Sequence, residues 1–379
     1  MAAVVYAVHR SDAPQSTAAT AATTTTAITT RAGAPTASTA SAPACTRYAA
    51  PWGSDRRRGT LRHPVRSLTV LDRRLWPGQT GCLLSGVYGG LQAWHRIDSS
   101  GTVGAPITIR SAPGQFAQVD GWVDIEGNYT TLENVRIDGS NTLYPTHPAG
   151  VTCRDHVSQP LVITGSHVIL QHVNYYQSVR ALRGSAIGIG FWGHPGDDII
   201  RFNRIHDVGG CDFYDHLIYL AGGDGDQIYD NWMWDDPHGW GVKLDPGPTA
   251  ARIWGNVIDR AGSGFNFGNS SGSAATSDNE VFDNLVVDSV GIRNPDIHWA
   301  YPGVLVTSPG MLPSSNGNRV FANDSYGNRG GFTDVASDVA PWQLTVTGNH
   351  SFAPGFANAR AHDYLLVAAG ARAPRHQRR

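Results

Sequence analysis

An asparagine recurs along the second half of this chain inside one pattern, apolar-x-x-Asn-x-x. The copies are Ile200-Arg201-Phe202-Asn203-Arg204-Ile205, Ile228-Tyr229-Asp230-Asn231-Trp232-Met233, Ile253-Trp254-Gly255-Asn256-Val257-Ile258 and Val281-Phe282-Asp283-Asn284-Leu285-Val286. Weaker copies end at Asn323 and Asn349, so the steps between asparagines are 28, 25, 28, 39 and 26 residues. A fixed period of this length marks a stack of supersecondary units, each burying its apolar face on the next. Within a unit the short β-type runs are separated by Gly, Asp, Asn or Pro, and none keeps the i, i+3, i+4 spacing that a crossover helix needs. Strands that repeat without helices must pair with their own successors. The expected fold is all-β: a single-stranded parallel β-helix, or solenoid. The asparagine is read as a corner residue whose side chain satisfies the turn backbone and stacks on the asparagine of the next coil.

Composition agrees. Charged residues make up 16% of the chain and there are 44 glycines, which favours many turns over long charged helices. A formal net charge of -2 gives no basic field for a nucleic-acid backbone, and no apolar stretch approaches the roughly 20 residues of a membrane span. Ser16 to Pro43 is almost wholly Ala, Thr, Ser and Pro, a composition that cannot bury enough apolar area to order itself. The expected organisation is a disordered tail over 1–44, a remnant of a secretion signal, then a β-helix over 45–370 and a frayed end over 371–379. Four cysteines without a Cys-x-x-Cys spacing point to disulfides and secretion, with Cys45–Cys82 and Cys153–Cys211 as the expected pairs.

Upstream, Ile107 to Ile109, Val123 to Ile125, Leu132 to Ile137, Leu161 to Ile163 and Val168 to Val173 continue the strand rhythm, which places the start of the solenoid near residue 80. With the lead-in Tyr48-Ala49-Ala50-Pro51-Trp52-Gly53-Ser54-Asp55 and Pro77-Gly78-Gln79-Thr80, the chain resembles the pectate-lyase-like superfamily of right-handed parallel β-helix proteins over about residues 45 to 370. That resemblance implies a fold which hosts lyases, hydrolases, epimerases and inert adhesins. Asp363 to Ala371 reads as the closing coil.

A second strand in each coil carries the candidate chemistry: Ile187-Gly188-Ile189, Ile218-Tyr219-Leu220, Val242-Lys243-Leu244, Phe265-Asn266-Phe267 and Val304-Leu305-Val306. Alternation turns Gly188, Tyr219, Lys243 and Asn266 outward, on successive rungs of one sheet. His216 and His238 precede two of these strands, with Asp212, Asp215, Asp235, Asp236 and Asp245 around them and Trp192, Trp232, Trp234, Trp240 and Trp254 nearby as surfaces for sugar rings. Lys243 is the sole lysine. β-Elimination from a uronic-acid sugar needs a base for the C5 proton, an acid for the leaving oxygen and a neutraliser for the carboxylate.

Lys243 is expected as base and Tyr219 or His216 as acid. His238 and Asn266 would hold the carboxylate, and Trp240, Trp192 and Asp215 would line the substrate. Ca2+ on Asp235, Asp236 and Asp245 is an alternative neutraliser. Asp236-Pro237-His238 is similar to the Asp-Pro-His stretch of mannuronan C5-epimerases, although Gly239 stands where those enzymes carry an acidic residue. The partner is therefore a polysaccharide, met by a secreted monomer acting as a lyase or epimerase. The alternatives are a glycoside hydrolase using Asp215, Asp236 and Asp245, and a wall or surface protein that binds glycan without turning it over.

Overall fold

A computed structural model describes residues 44–140, 160–178, 184–191, 193, 195–210, 214–268, 274–291, 305–307, 311–328, 333–335, 337–351 and 353–366, with the backbone alone at 305–307, 333–334 and 366. Cys153, Cys211, Asp212, Trp192, the 1–43 tail and the 371–379 end lie outside these residues.

The described chain is a right-handed parallel β-helix. Its first sheet has eleven rungs, from Arg47–Ala49 and Thr80–Leu83 through Ile169–Gln171, Ile199–Arg201, Gln227–Tyr229, Arg252–Trp254, Glu280–Phe282 and Asn318–Phe321 to Leu344–Thr347. The long strands Gly86–Ile97 and Ala117–Ile125 start the other two ladders. One half of Ala117–Ile125 pairs with Arg136–Asp138, and Asn174–Tyr176, Arg204–His206, Trp232–Trp234, Val257–Asp259 and Leu285–Val287 follow as the second sheet. Its other half pairs with Leu161–Ile163, and Ser185–Ile189, His216–Leu220, Trp240–Leu244, Ser263–Phe267 and Leu305–Thr307 follow as the third. Pairing is parallel throughout the three sheets. The stack begins earlier than the strand rhythm suggests, because Arg47–Ala49 is already a rung against Thr80–Leu83. The expected Cys45–Cys82 disulfide ties the two together.

Three-residue strands flank the corner asparagines from Asn203 to Asn284, and the middle residue of each points inward. Leu170, Ile200, Ile228, Ile253, Val281 and Val320 do so from the first sheet, and Tyr175, Ile205, Met233, Ile258 and Val286 from the second. Between the sheets one residue in the left-handed region makes the bend: His172, Phe202, Asp230, Gly255, Asp283, Ala322 and Gly348, with φ from 52° to 65°. The residue after it is the repeating asparagine, except in the first of these, where Val173 follows His172. Asn203, Asn231, Asn256 and Asn284 each donate both the backbone N–H and Nδ2 to Oδ1 of the next asparagine at 2.9–3.1 Å. Each Nδ2 also reaches a carbonyl of the preceding coil, such as Leu170 O and Ile200 O at 2.9 Å. The ladder continues through Asn323 to Asn349. Every polar atom of an otherwise costly buried amide is thereby engaged.

Up to Leu366, the last described residue, the C-terminal segment runs along the flank of the second sheet. Asp363–Leu366 pairs antiparallel with Phe356–Asn358, and Tyr364 buries itself against Trp232 and Trp234 on the flank of the second sheet, its hydroxyl donating to Asp259 Oδ2 at 2.5 Å.

Candidate functional site

On the third sheet the register runs Gly188↔Tyr219↔Lys243↔Asn266 in one column and Ser185↔His216↔Trp240↔Ser263 in another. The first column is the one expected. The second shares its face because strict alternation fails: Ala186, Ile187 and Ile189, and likewise Leu217, Ile218 and Leu220, all belong to the core. Two consecutive inward residues leave positions i and i+3 on the outer side, which brings His216 beside Tyr219 and Trp240 beside Lys243. The rings of His216 and Tyr219 meet edge-on at 5.2 Å, and those of His216 and Trp240 lie at 5.1 Å. Lys243 Nζ sits 5.1 Å from the Tyr219 ring centre and 5.3 Å from that of Trp240, within cation–π range. Phe191 meets Tyr219 edge-on at 4.8 Å.

This face is buried rather than an open floor. Lys243 is 5% exposed, Trp240 3%, and His216, Asn266 and Ser263 are fully buried, with Tyr219 half-buried. Burial decides the electrostatics, because desolvation disfavours charge. It pulls the Lys243 ammonium below the ordinary lysine value, against the opposing carboxylate of Asp245, whose Oδ2 lies 3.1 Å from Nζ. Burial, then the nearby Lys243 charge, holds His216 well below the usual histidine range, while the Asp215 backbone pulls the other way. His216 is therefore neutral, and neither ring nitrogen makes a well-aligned hydrogen bond.

The remaining expected residues are placed elsewhere or otherwise employed. Asp215 is fully buried and caps its corner, accepting from Gly184 N at 2.9 Å and Gly210 N at 3.0 Å. His238 stands in the turn that enters Trp240–Leu244. Asp235 pairs with Arg260 at 2.8 Å beside the second sheet, Asp236 accepts from Gly239 N at 3.2 Å, and Asp245 faces Lys243. These three carboxylates have separate partners and do not make a calcium cage. Among the described residues no group of three His, Cys, Asp or Glu side chains is placed to hold a metal ion. Asp245 as the counter-ion of Lys243 was missed in the sequence, although the signal, an acid two residues on at the same strand end, was present.

Several tryptophans expected as sugar platforms have their faces occupied. Trp234 is sandwiched between His206 at 4.3 Å and His362 at 4.6 Å. Trp254 is stacked between Tyr229 at 4.3 Å and Phe282 at 5.8 Å, in a column that ends on Phe321. In-register stacking on a parallel sheet consumes ring faces and leaves only edges to solvent.

The cluster thus offers a lysine biased toward its neutral form, a phenol next to it, a neutral imidazole and an amide one rung on. Together they can accept a proton, deliver one and hold an oxyanion. No protein-family model and no curated protein matches the chain. Among solved structures it is similar to the pectate lyase Pel9A, at 15% identity and TM-score 0.50, over 85% of this chain and 87% of that one. It is also similar to an alginate lyase from Paenibacillus sp. str. FPU-7, at 15% identity and TM-score 0.53, over 75% and 92% of the two chains. These likenesses establish the shared parallel β-helix fold.

Proposed function

We propose that this chain is a secreted, monomeric polysaccharide lyase that performs β-elimination on a uronic-acid-containing glycan at the Lys243 face of the third sheet. The observation that carries the reading is the placement of the only lysine, buried between Tyr219 and Trp240 with His216 behind them. The neutral amine of Lys243 takes the C5 proton, the C4–O bond breaks as the C4=C5 double bond forms, and the Tyr219 hydroxyl protonates the departing oxygen. His238, in the turn at the strand entry, holds the substrate carboxylate, while the buried Asn266, one rung beyond Lys243, and the buried Trp240 position the amine. Asp245 receives the resulting ammonium as its ion-pair partner. C5-epimerisation would share the first step and return the proton to the opposite face. The neighbouring lyases lend the substrate class, and the Cys45–Cys82 bridge supports an oxidising compartment. A net charge of -2 supports a glycan over a nucleic acid as partner.

Incubation with a panel of uronic-acid polysaccharides, followed in the ultraviolet for the unsaturated product, tests the proposal. New reducing ends without that absorbance would instead favour hydrolysis, and silence in both assays with retained binding would favour a glycan-binding protein.

A further inference from the structure

The residue that opens each rung of the first sheet forms a second internal column: Val168, Asp198, Asp226, Ala251, Asn279 and Asn318, each just before its strand or its first paired residue. Where asparagine occupies it, the amide works as in the corner ladder. Asn279 donates its backbone N–H and Nδ2 to Asn318 Oδ1 at 3.2 and 2.9 Å, and Nδ2 also donates to Pro248 O at 2.9 Å, while Oδ1 accepts from Ala251 N.

Asp198 and Asp226 repeat half of this. Oδ1 of Asp198 accepts from Val168 N at 2.7 Å and Oδ1 of Asp226 from Asp198 N at 3.0 Å. The other oxygens, standing for Nδ2, have no partner, and the residues are 0% and 1% exposed. The charged groups around them are also acidic: Asp197 acts on both and Asp224 on Asp226, with half-exposed His167 directed to Asp197 at 3.7 Å. Two adjacent buried carboxylates facing no cation are not both ionised.

We infer that the folded solenoid keeps at least one proton on the Asp198–Asp226 pair, a neutral carboxylic acid standing where the column elsewhere has an asparagine amide, so that the coils hold together best at low pH and loosen as pH rises. The direction agrees with the electrostatics. Burial first, then Asp226, raises Asp198 to about 9, and burial with Asp197 and Asp224 raises Asp226 to about 7. Folded values above unfolded ones near 4 mean that the native state holds more protons, so stability from this pair is full at low pH and is lost as pH rises through the folded values.

The test is the thermal midpoint of the whole chain between pH 5 and pH 9, for the wild type, Asp198→Asn and Asp226→Asn, with exposed Asp278→Asn as control. The expected result is a midpoint that falls with pH in the wild type and control, and a flatter, higher profile near pH 8 in the two column variants. A wild-type profile that is flat or rising, or an Asp198→Asn profile of unchanged slope, would overturn the inference. Proton release on urea unfolding near neutral pH gives a second reading: Asp198→Asn should release fewer protons than wild type, and equal release would also overturn it.

Discussion

Replacing Asn256 with alanine tests whether the corner ladder holds the coils together. Asn256 is fully buried; its Nδ2 donates to Asn284 Oδ1, Ile228 O and Trp254 O, and its Oδ1 accepts from Asn231 N and Nδ2. Alanine keeps the backbone donation to Asn284 but leaves the Asn231 N–H and one Nδ2 hydrogen of Asn231 without their acceptor in the interior. At about 1–3 kcal/mol for each of the two orphaned buried groups, the loss sums to roughly 2–6 kcal/mol, a large share of an ordinary domain's stability. Asn349 makes the equivalent contacts, accepting from Asn323 N and Nδ2 and donating to Val320 O, but it is half-buried and water can take its place, so its replacement should cost less, about 1 kcal/mol. Urea unfolding followed by circular dichroism reads both. A midpoint shift for Asn256→Ala no larger than for Asn349→Ala would refute the claim that the amides are fasteners rather than fillers.

Further expectations concern the site and the entry coil. Activity should rise with pH through a value below that of an ordinary lysine, and Asp245→Asn should move this limb to still lower pH by removing the charge that favours the ammonium; a limb that stays put in the pH–rate profile would show that Lys243 is not the titrating base. His216→Leu should keep or raise stability, because it removes two buried nitrogens that make no well-aligned hydrogen bond, yet lower turnover; unchanged kcat would make His216 a space filler. Reduction of Cys45–Cys82, which closes a separation of 37 residues, should cost about 3–4 kcal/mol locally, read as faster hydrogen exchange in Arg47–Ala49 than in the later rungs.

The fold was legible because a parallel stack repeats its constraints: each coil needs the same left-handed corner and the same amide, so Asn203 to Asn349 announced the period before any strand was placed. The register of Gly188, Tyr219, Lys243 and Asn266 followed from that period. Side-chain direction at the strand entry did not, since two inward residues in a row, such as Leu217 and Ile218, break the alternation that the reading assumed, and so Trp240 and His216 joined the outer face as neighbours of Lys243. Burial was equally hidden, because it depends on what covers a face and not on the strand itself. Scattered aspartates were ambiguous for the same reason: Asp215 caps a corner, Asp235 meets Arg260 and Asp245 meets Lys243, three fates that only three-dimensional proximity distinguishes. The tryptophans of the first and second sheets misled because in-register stacking, invisible in one coil, closes their faces.

The most direct test of the central claim compares wild type with Lys243→Met on a uronic-acid polysaccharide, following the ultraviolet absorbance of the unsaturated product while circular dichroism confirms that both are folded. Methionine matches the apolar stem and removes the amine. The account predicts steady product from wild type and none from the folded variant; product formation at the wild-type rate by Lys243→Met would contradict it.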